Sequence, residues 1–317
     1  MSPNSWICLH PSNATQTTVS LDNRGLAYGD GFFTTMGVID GQILWFDYHQ
    51  QRLVSHATAL QLQLDSQLLL AMLKIHAKQL QQGMLKLIIT RAEQEVRGYG
   101  YTPNIGGGSA CEIWLKSSPM AITTARSLPL ADGQFIPLQP TASAICLSSQ
   151  IACLPPTLAG LKSLNRLDNV LASGELQAIK AKTLAGTIKP SIAEGLLRDM
   201  SGRWIEGTMS NVFYQLVEAP VAKSSNRPHS QNNSNSNYLT QGQWYTPSMA
   251  QSGVAGVMRQ VIIDTLSTSN NPVIIRSLQD EDLPHLSQLF FCNALRGIMP
   301  MSSLRLLSGE VVSFEAI

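Results

Sequence analysis

Apolar positions in the first third of the chain follow two rhythms. In "TTMGVIDGQILWF", two apolar stretches flank Asp40-Gly41, a pair that favours the positive backbone angles of a tight hairpin. The spacing then lengthens. "HQQRLVSHATALQL" and "QLLLAMLKIHAKQLQQ" repeat apolar residues at helical intervals, and in the second Leu69, Met72, Leu73 and His76 share one face. "MLKLIITRA" and "CEIWLKS" then read as two strands separated by the Gly-rich loop "RGYGYTPNIGGGS".

The second half alternates again. "ASAICLSS", "EGLLRD", "WIEG", "NVFYQLV", "QWYTP" and "QLFFCNA" read as strands, with one helix after Lys162 and another from about Ala255 to Leu266. Residues 117–140 carry Pro119, Pro129, Pro137 and Pro140 and read as loose chain. The expected organisation is an N-terminal α/β domain over 1–125, an interdomain linker over 126–140, and a C-terminal domain over 141–317. The expected fold class is α+β or mixed α/β: two domains with mixed sheets rather than one doubly wound sheet. Residues 219–242, rich in Ser, Asn, Gln and Pro, hold little to bury and read as a polar insertion at a hairpin tip.

Composition narrows the picture by exclusion. A chain of 317 residues, 44% hydrophobic and 14% charged, has room for two cores. Its 22 Lys and Arg against 21 Asp and Glu give no sign of a nucleic-acid or membrane partner, while single arginines can still serve a small anion. The five cysteines are odd in number, scattered, and lack a CxxC pair, as in a reducing compartment. No leader pattern opens the sequence and no apolar run approaches ~18 residues, so a cytoplasmic location is expected. There is no HExxH or HxH pair, so no metal site is expected. A GxSxG elbow, a GxxxxGK[ST] loop and a GxGxxG turn opening a helix are also missing.

The candidate chemistry begins at Lys162 in "LAGLKSLNRLDNVLASGEL". Its ordinary reading is a solvated lysine at a helix start. The macrodipole disfavours a cation there, however, and Leu164, Leu167, Val170 and Leu171 have the spacing to bury the neighbouring face. A lysine desolvated in this way has a lowered pKa and becomes a nucleophilic amine. Glu206 ends an apolar strand before the polar turn of Gly207, Ser210 and Asn211, and in isolation reads first as a solvated strand end. The helix "AGVMRQVIIDTL" buries Met258, Val261, Ile262 and Leu266 and offers a glycine-preceded N-terminus to an anion. Arg52, with Phe46 and Leu53 nearby, needs an anionic partner that a phosphate would suit. Arg97 and Tyr99 lie in the loop "EVRGYGY", where the arginine reaches either a carboxylate or water.

Taken in order, "DNRGLAYGDGFFTT", "HQQRL", "TRAEQEVRGYG", "LKSLNRLDNVLA", "IEGTMSNVF", "SGVAGVMRQ" and "FFCNALRGIMPM" resemble the fold-type IV pyridoxal-phosphate enzymes, the family of branched-chain and D-amino-acid aminotransferases. "LAGLKSLNRL", "RGYGY" and "CNALRGIMPM" are most similar to its 4-amino-4-deoxychorismate lyase branch. The resemblance implies pyridoxal 5'-phosphate bound covalently by Lys162, with Glu206 against its ring nitrogen. It implies phosphate contacts from Arg52, from the backbone of Val257 and Met258, and from Asn293 and Ala294. Ser210 and Asn211 match the polar turn beside the ring. Arg97 and Tyr99 match the loop that handles substrate carboxylates. The implied reaction is elimination of pyruvate to leave 4-aminobenzoate, with Lys162 taking the C4 proton.

The alternatives are amino transfer on D- or branched-chain amino acids, or a cofactor-free binding protein on the same scaffold. Phe33 stands where aminotransferases of this group often carry a substrate-facing tyrosine, and Thr34 and Thr35 supply hydroxyls for proton transfer, Thr35 being the catalytic candidate. Arg296 lies in a stretch that is more apolar in the lyases. A homodimer, and a functional link to an aminodeoxychorismate synthase, are further implications of the resemblance.

Overall fold

The computed structural model describes residues 6–10, 18–103, 108, 110–122, 126–129, 135–184, 192–217, 239, 241–267 and 269–314. Strands β1 (Trp6–His10), β2 (Gly31–Ile39), β3 (Gln42–Ile43), β4 (Gly83–Arg91) and β5 (Cys111–Pro119) form an antiparallel sheet in the order β1-β5-β4-β2-β3. The hairpin between β2 and β3 turns at Asp40 and Gly41, with φ of 51° and 70°, as the sequence predicts. A short helix α1 (Arg24–Tyr28) precedes β2; α2 (Phe46–Ala59) and α3 (Ser66–Leu80) follow β3. The Asp65 carboxylate caps α3 by accepting from Leu68 N–H at 3.0 Å.

Alternation along the strands sorts this sheet into two faces. Phe32, Met36, Leu85, Leu87, Ile89, Ile113 and Leu115 are buried in a core with Leu53 and Ala57 of α2 and Leu69, Leu73 and Ala77 of α3. The opposite face carries Phe33, Thr35, Lys86, Ile88 and Lys116, all only partly buried. That second face borders the candidate site.

The other sheet is 11-stranded and mixed. It contains β6 (Arg126–Pro129), β7 (Phe135–Leu138), β8 (Ala142–Ile151), β9 (Ile192–Asp199), β10 (Trp204–Gly207), β11 (Asn211–Leu216), β12 (Tyr245–Thr246), β13 (Ile274–Ile275), β14 (Leu286–Asn293), β15 (Gly297–Arg305) and β16 (Val311–Ser313). Because β14 pairs with both β11 and β15, strands β8, β9, β10, β11, β14 and β15 close into a ring. Helix α4 (Leu167–Leu184) crosses between the parallel strands β8 and β9, and α5 (Val257–Leu266) packs beside β14. Among the described residues no helix is long and apolar enough to cross a membrane.

Three expectations need correction. The stretch 126–140 is not a plain linker. Its β6 and β7 pair antiparallel, and β7 joins β15 in parallel at Leu138 and Ile298. The prolines concealed this, but β6 is the edge strand, the position in a sheet that tolerates proline. Next, Lys162 is not at a helix start; α4 begins five residues later. Finally, the face of α4 bearing Leu167, Val170 and Leu171 is exposed, at 78%, 61% and 70%. Ala172, Leu176 and Ile179 make the packing face instead, and two apolar stripes on one helix cannot both meet the same sheet. The insertion expected at 219–242 lies outside the described residues except for Leu239, Gln241 and Gly242.

The turn from β14 to β15 depends on Gly297, whose φ is 69° and whose added Cβ would stand 2.0 Å from the Pro137 carbonyl oxygen. Backbone strain of about 1–2 kcal/mol adds to a clash that no side-chain rotation relieves. Gly297→Ala should therefore lower the midpoint of urea unfolding, while Gly309→Ala, with open space around it, should cost only the strain. Equal midpoints for the two variants would refute this.

Candidate active site

The crossover from β8 to α4 passes between the two sheets, and Lys162 lies in its extended portion. Two main-chain bonds and one to a side chain hold the segment. Phe33 N–H donates to Lys162 O at 3.0 Å, Leu164 N–H donates to Gly31 O at 3.0 Å, and Lys162 N–H donates to His56 Nε2 at 2.9 Å. Since His56 Nε2 accepts, its proton resides on Nδ1, which faces Ser55 Oγ at 3.2 Å. Arg166 Nη2 donates to the Leu161 carbonyl, closing the segment from the far end. Lys162 is thus fixed by chain geometry before its side chain makes any contact.

The amine enters a cationic neighbourhood. Its Nζ sits 4.6 Å from the centroid of the Phe33 ring, with Lys86 Nζ 5.4 Å from the same centroid. Burial first, then the charge of Arg52, lowers the Lys162 pKa to about 8, with Glu206 opposing and Arg166 and Lys86 adding to the fall. His56 is pushed down to about 3 by burial and by Arg52, Lys162 and Arg166. It therefore stays neutral and keeps accepting from the Lys162 amide.

Glu206 is the carboxylate in this neighbourhood. Strand β10 carries it inward at 3% exposure, and burial raises its pKa, which Val254 N–H, Arg166 and Lys162 oppose. Its Oε2 accepts from Val254 N–H at 2.8 Å and its Oε1 from Asn169 Nδ2 at 3.4 Å. Val254 and Ala255 are gripped from every side. Asn211 Nδ2 donates to Val254 O at 2.8 Å, Ala255 N–H donates to Gly160 O at 2.9 Å, and Arg52 Nη2 donates to Ala255 O at 2.6 Å. The next residue must be glycine, because a Cβ on Gly256 would come within 1.9 Å of Asn211 Oδ1. Helix α5 starts immediately afterwards with no side-chain cap, leaving the N–H groups of Val257 and Met258 open to an anion.

Arg52, buried at 7% exposure, has no carboxylate partner among the described residues, and burial lowers its pKa to about 10. A buried guanidinium held by one carbonyl, next to an uncapped helix N-terminus, suits a phosphate. A buried carboxylate with raised pKa and, among the described residues, no ion pair suits a protonated ring nitrogen. The donor set therefore fits pyridoxal phosphate.

Not every expected residue points into this space. Ser210 Oγ donates to Glu194 Oε2 at 2.7 Å, and Glu194 Oε1 accepts from Thr208 N–H at 3.0 Å, so Ser210 braces the turn. Asn211 braces the loop before α5. Asn293 Oδ1 accepts from Leu295 N–H at 3.2 Å and Arg296 N–H at 2.9 Å, shaping the turn that contains Ala294. Its Nδ2 reaches Met209 O at 3.5 Å, linking that turn to the one after Glu206. Thr34 faces the helix side, where its hydroxyl meets His49 Nδ1 at 2.9 Å; Thr35 faces the site side with Phe33.

Arg97 and Tyr99 lie on the surface of the single chain, Tyr99 being 84% exposed with its ring against Tyr28. Their loop is nevertheless anchored: Arg24 donates to the carbonyls of Gly98, Tyr99 and Gly100, and pairs with Asp30 at 2.9 Å. Sequence reasoning missed His56, Asn169 and Arg166. For His56 the signal was present, since the four-residue spacing from Arg52 puts both on one helix face.

An amine is nucleophilic only when deprotonated, so the lowered pKa of Lys162 has a direct readout. In the cofactor-free protein, trinitrophenylation of Lys162, followed by peptide mass spectrometry, should rise through about pH 8. Glu206→Gln removes a charge that favours the ammonium and should shift that midpoint lower. A midpoint near 10.5, the ordinary lysine value, would contradict the burial argument.

Comparison with known proteins places the fold and the family. A family model described as amino-transferase class IV matches residues 31–304. An aminodeoxychorismate lyase of Vibrio harveyi is 24% identical over 290 residues, covering 91% of this chain and 88% of the relative. The crystal structure of 4-amino-4-deoxychorismate lyase from Pseudomonas aeruginosa superposes with a TM-score of 0.68 at 28% identity, covering 94% of this chain and 91% of that one. A hypothetical aminotransferase from Mycobacterium tuberculosis in a PLP-bound form gives a TM-score of 0.63 at 16% identity, covering 94% and 90%, a likeness of fold. The match over most of its length, on a frame of two mixed-composition layers meeting at Lys162, makes the chain a member of the class IV aminotransferase family.

Proposed function

We propose that the chain is a pyridoxal-phosphate-dependent lyase that converts 4-amino-4-deoxychorismate into 4-aminobenzoate and pyruvate. The observation that carries the cofactor assignment is the buried Lys162 amine beside the buried Glu206 carboxylate and the acid-free Arg52. The likeness to two lyases, at 28% and 24% identity over more than nine-tenths of the chain, favours elimination. Amino transfer on D- or branched-chain amino acids is the second reading, favoured by the family description and the structural likeness to an aminotransferase.

In this reading Lys162 anchors the cofactor, Glu206 faces its ring nitrogen, and Arg52 with the N–H groups of Val257 and Met258 holds its phosphate. Ser210, Asn211, Asn293 and Ala294 shape the turns around it. When bound, the cofactor supplies an electron sink for the carbon that bears the substrate's amino group. Lys162, readily deprotonated in its cationic surroundings, takes the proton from that carbon. The bond between the neighbouring carbon and the enolpyruvyl oxygen then breaks, its electron pair leaving with the oxygen, and the enol takes up a proton to become pyruvate. The ring left behind is aromatic, which drives the step. Thr35, on the same sheet face as Phe33, assists proton transfer, and Phe33 presents a ring without a hydroxyl.

Arg97 and Tyr99 handle a substrate carboxylate when supplied by a second copy in a homodimer. The exposed Leu167, Val170 and Leu171 support such an assembly, since apolar side chains clustered on one helix gain by being covered. The free cysteines suit a reducing cytoplasm, and an aminodeoxychorismate synthase would supply the substrate.

The holoenzyme should release 4-aminobenzoate and pyruvate from 4-amino-4-deoxychorismate without any 2-oxo-acid; a strict need for such an acceptor would favour the aminotransferase. Lys162→Ala should abolish turnover, and borohydride reduction should no longer attach the cofactor to the peptide 158–176. Near-native turnover in that variant would remove Lys162 from the mechanism.

A further inference from the structure

The face of the first sheet that borders Lys162 carries a feature the mechanism uses only through the charge of Lys86. Antiparallel register places Thr35 of β2 opposite Lys86 of β4, Lys86 opposite Lys116 of β5, and Lys116 opposite Trp6 of β1. The row Thr35-Lys86-Lys116-Trp6 therefore crosses four strands on one face, beside the row that contains Phe33 and Trp114. Both lysines are partly buried, and neither has a carboxylate partner among the described residues. Glu112 shares this face but is engaged by Asn23 Nδ2 at 2.8 Å and Trp114 Nε1 at 3.2 Å.

Like charges directly opposite across two strands destabilise a sheet, and here no carboxylate offsets them. Two ammonium groups on adjacent strands, about 5 Å apart at their Cβ atoms, can hold one carboxylate between them. The pair also belongs to the reacting space, since the ammonium of Lys86 and the amine of Lys162 lie over the same Phe33 ring. A substrate whose amino-bearing carbon is at Lys162 would extend its far side along this row.

We propose that Lys86 and Lys116 form a carboxylate clamp that selects cyclic substrates with a second carboxylate, in addition to any acid group handled by Arg97. This rests on the lyase reading, whose substrate carries two carboxylates, and it names the side chains that distinguish that substrate from a simple amino acid. The clamp binds and orients; beyond the charge with which Lys86 helps to lower the Lys162 pKa, it takes no part in proton transfer.

The test uses the holoenzyme and the variants Lys116→Met, Lys86→Met and Lys116→Arg, with thermal melts to establish that each is folded. Calorimetric titration compares isophthalate, with two ring carboxylates, against benzoate, with one. The wild type should bind isophthalate at least about tenfold more tightly than benzoate, as expected for a charge-assisted contact. Both methionine variants should lose that preference and Lys116→Arg should retain it. With 4-amino-4-deoxychorismate, Lys116→Met should raise KM by about tenfold and leave kcat within about twofold. An isophthalate preference that is missing in the wild type, or unchanged in folded Lys116→Met and Lys86→Met, would overturn the clamp. Should the wild type release no pyruvate, the lyase reading falls by itself, and the isophthalate titration still decides whether the clamp exists.

Discussion

Burying a primary amine among other cations is costly, and the junction of the two sheets is arranged around that cost. Arg52, Arg166 and Lys86 all act to discharge Lys162, while Glu206 is the neighbouring carboxylate opposing them. Each group comes from a different element: Arg52 from α2, Lys86 from β4, Glu206 from β10, and Lys162 with Arg166 from the crossover before α4. No single element could create this field. It exists because β2 and the 160–164 segment are joined by main-chain bonds that fix how the two sheets meet.

The polar groups divide into those already satisfied and those left wanting a partner. Asp199 accepts from Arg203, Ser201 and Ser252; Glu194 accepts from Gly195, Thr208 and Ser210. These carboxylates consume their hydrogen-bonding capacity inside the protein and hold turns in place. Glu206 and Arg52, also buried, keep only one or two hydrogen bonds each and, among the described residues, no ion pair. That contrast separates scaffold from site more sharply than burial does. The strip Val254–Gly256 connects the two classes: it is bonded to Glu206, Asn211, Gly160 and Arg52, and then releases its free N–H groups at α5.

Much of this frame was legible from local pattern. The hairpin at Asp40-Gly41, helices α2 and α3, and the strands bearing Glu206 and Asn211 follow from alternation and turn chemistry. What pattern could not show was the choice between two apolar stripes on α4, because that depends on which stripe meets β8 and β9. The strands at 126–129 and 135–138 were hidden for a related reason. Short strands draw their stability from their partners rather than from their own residues, here β15 for β7 and β7 for the edge strand β6. Among the site residues, Lys162, Glu206 and Arg52 stood out as charges in apolar surroundings. Asn169 acts through a hydrogen bond to a group far away in sequence, and although the spacing of His56 from Arg52 marked its helix face, its bond to the Lys162 amide lies in no local window.

The near balance of 22 basic and 21 acidic residues hides a strong local imbalance. Around the Phe33 ring and the start of α5, Lys162, Lys86, Arg52 and Arg166 face Glu206, the one carboxylate acting on Lys162 among the described residues, with Lys116 next in the row. Exposed charges elsewhere are screened within roughly 8–10 Å at physiological salt, so they do little to cancel this field inside a low-dielectric cleft. Overall charge therefore argues against an extended anionic partner such as nucleic acid, and says nothing against a small polyanion. A cleft with this excess is suited to a phosphate at one end and carboxylates at the other. The field that favours such anions is the same one that lowers the Lys162 pKa.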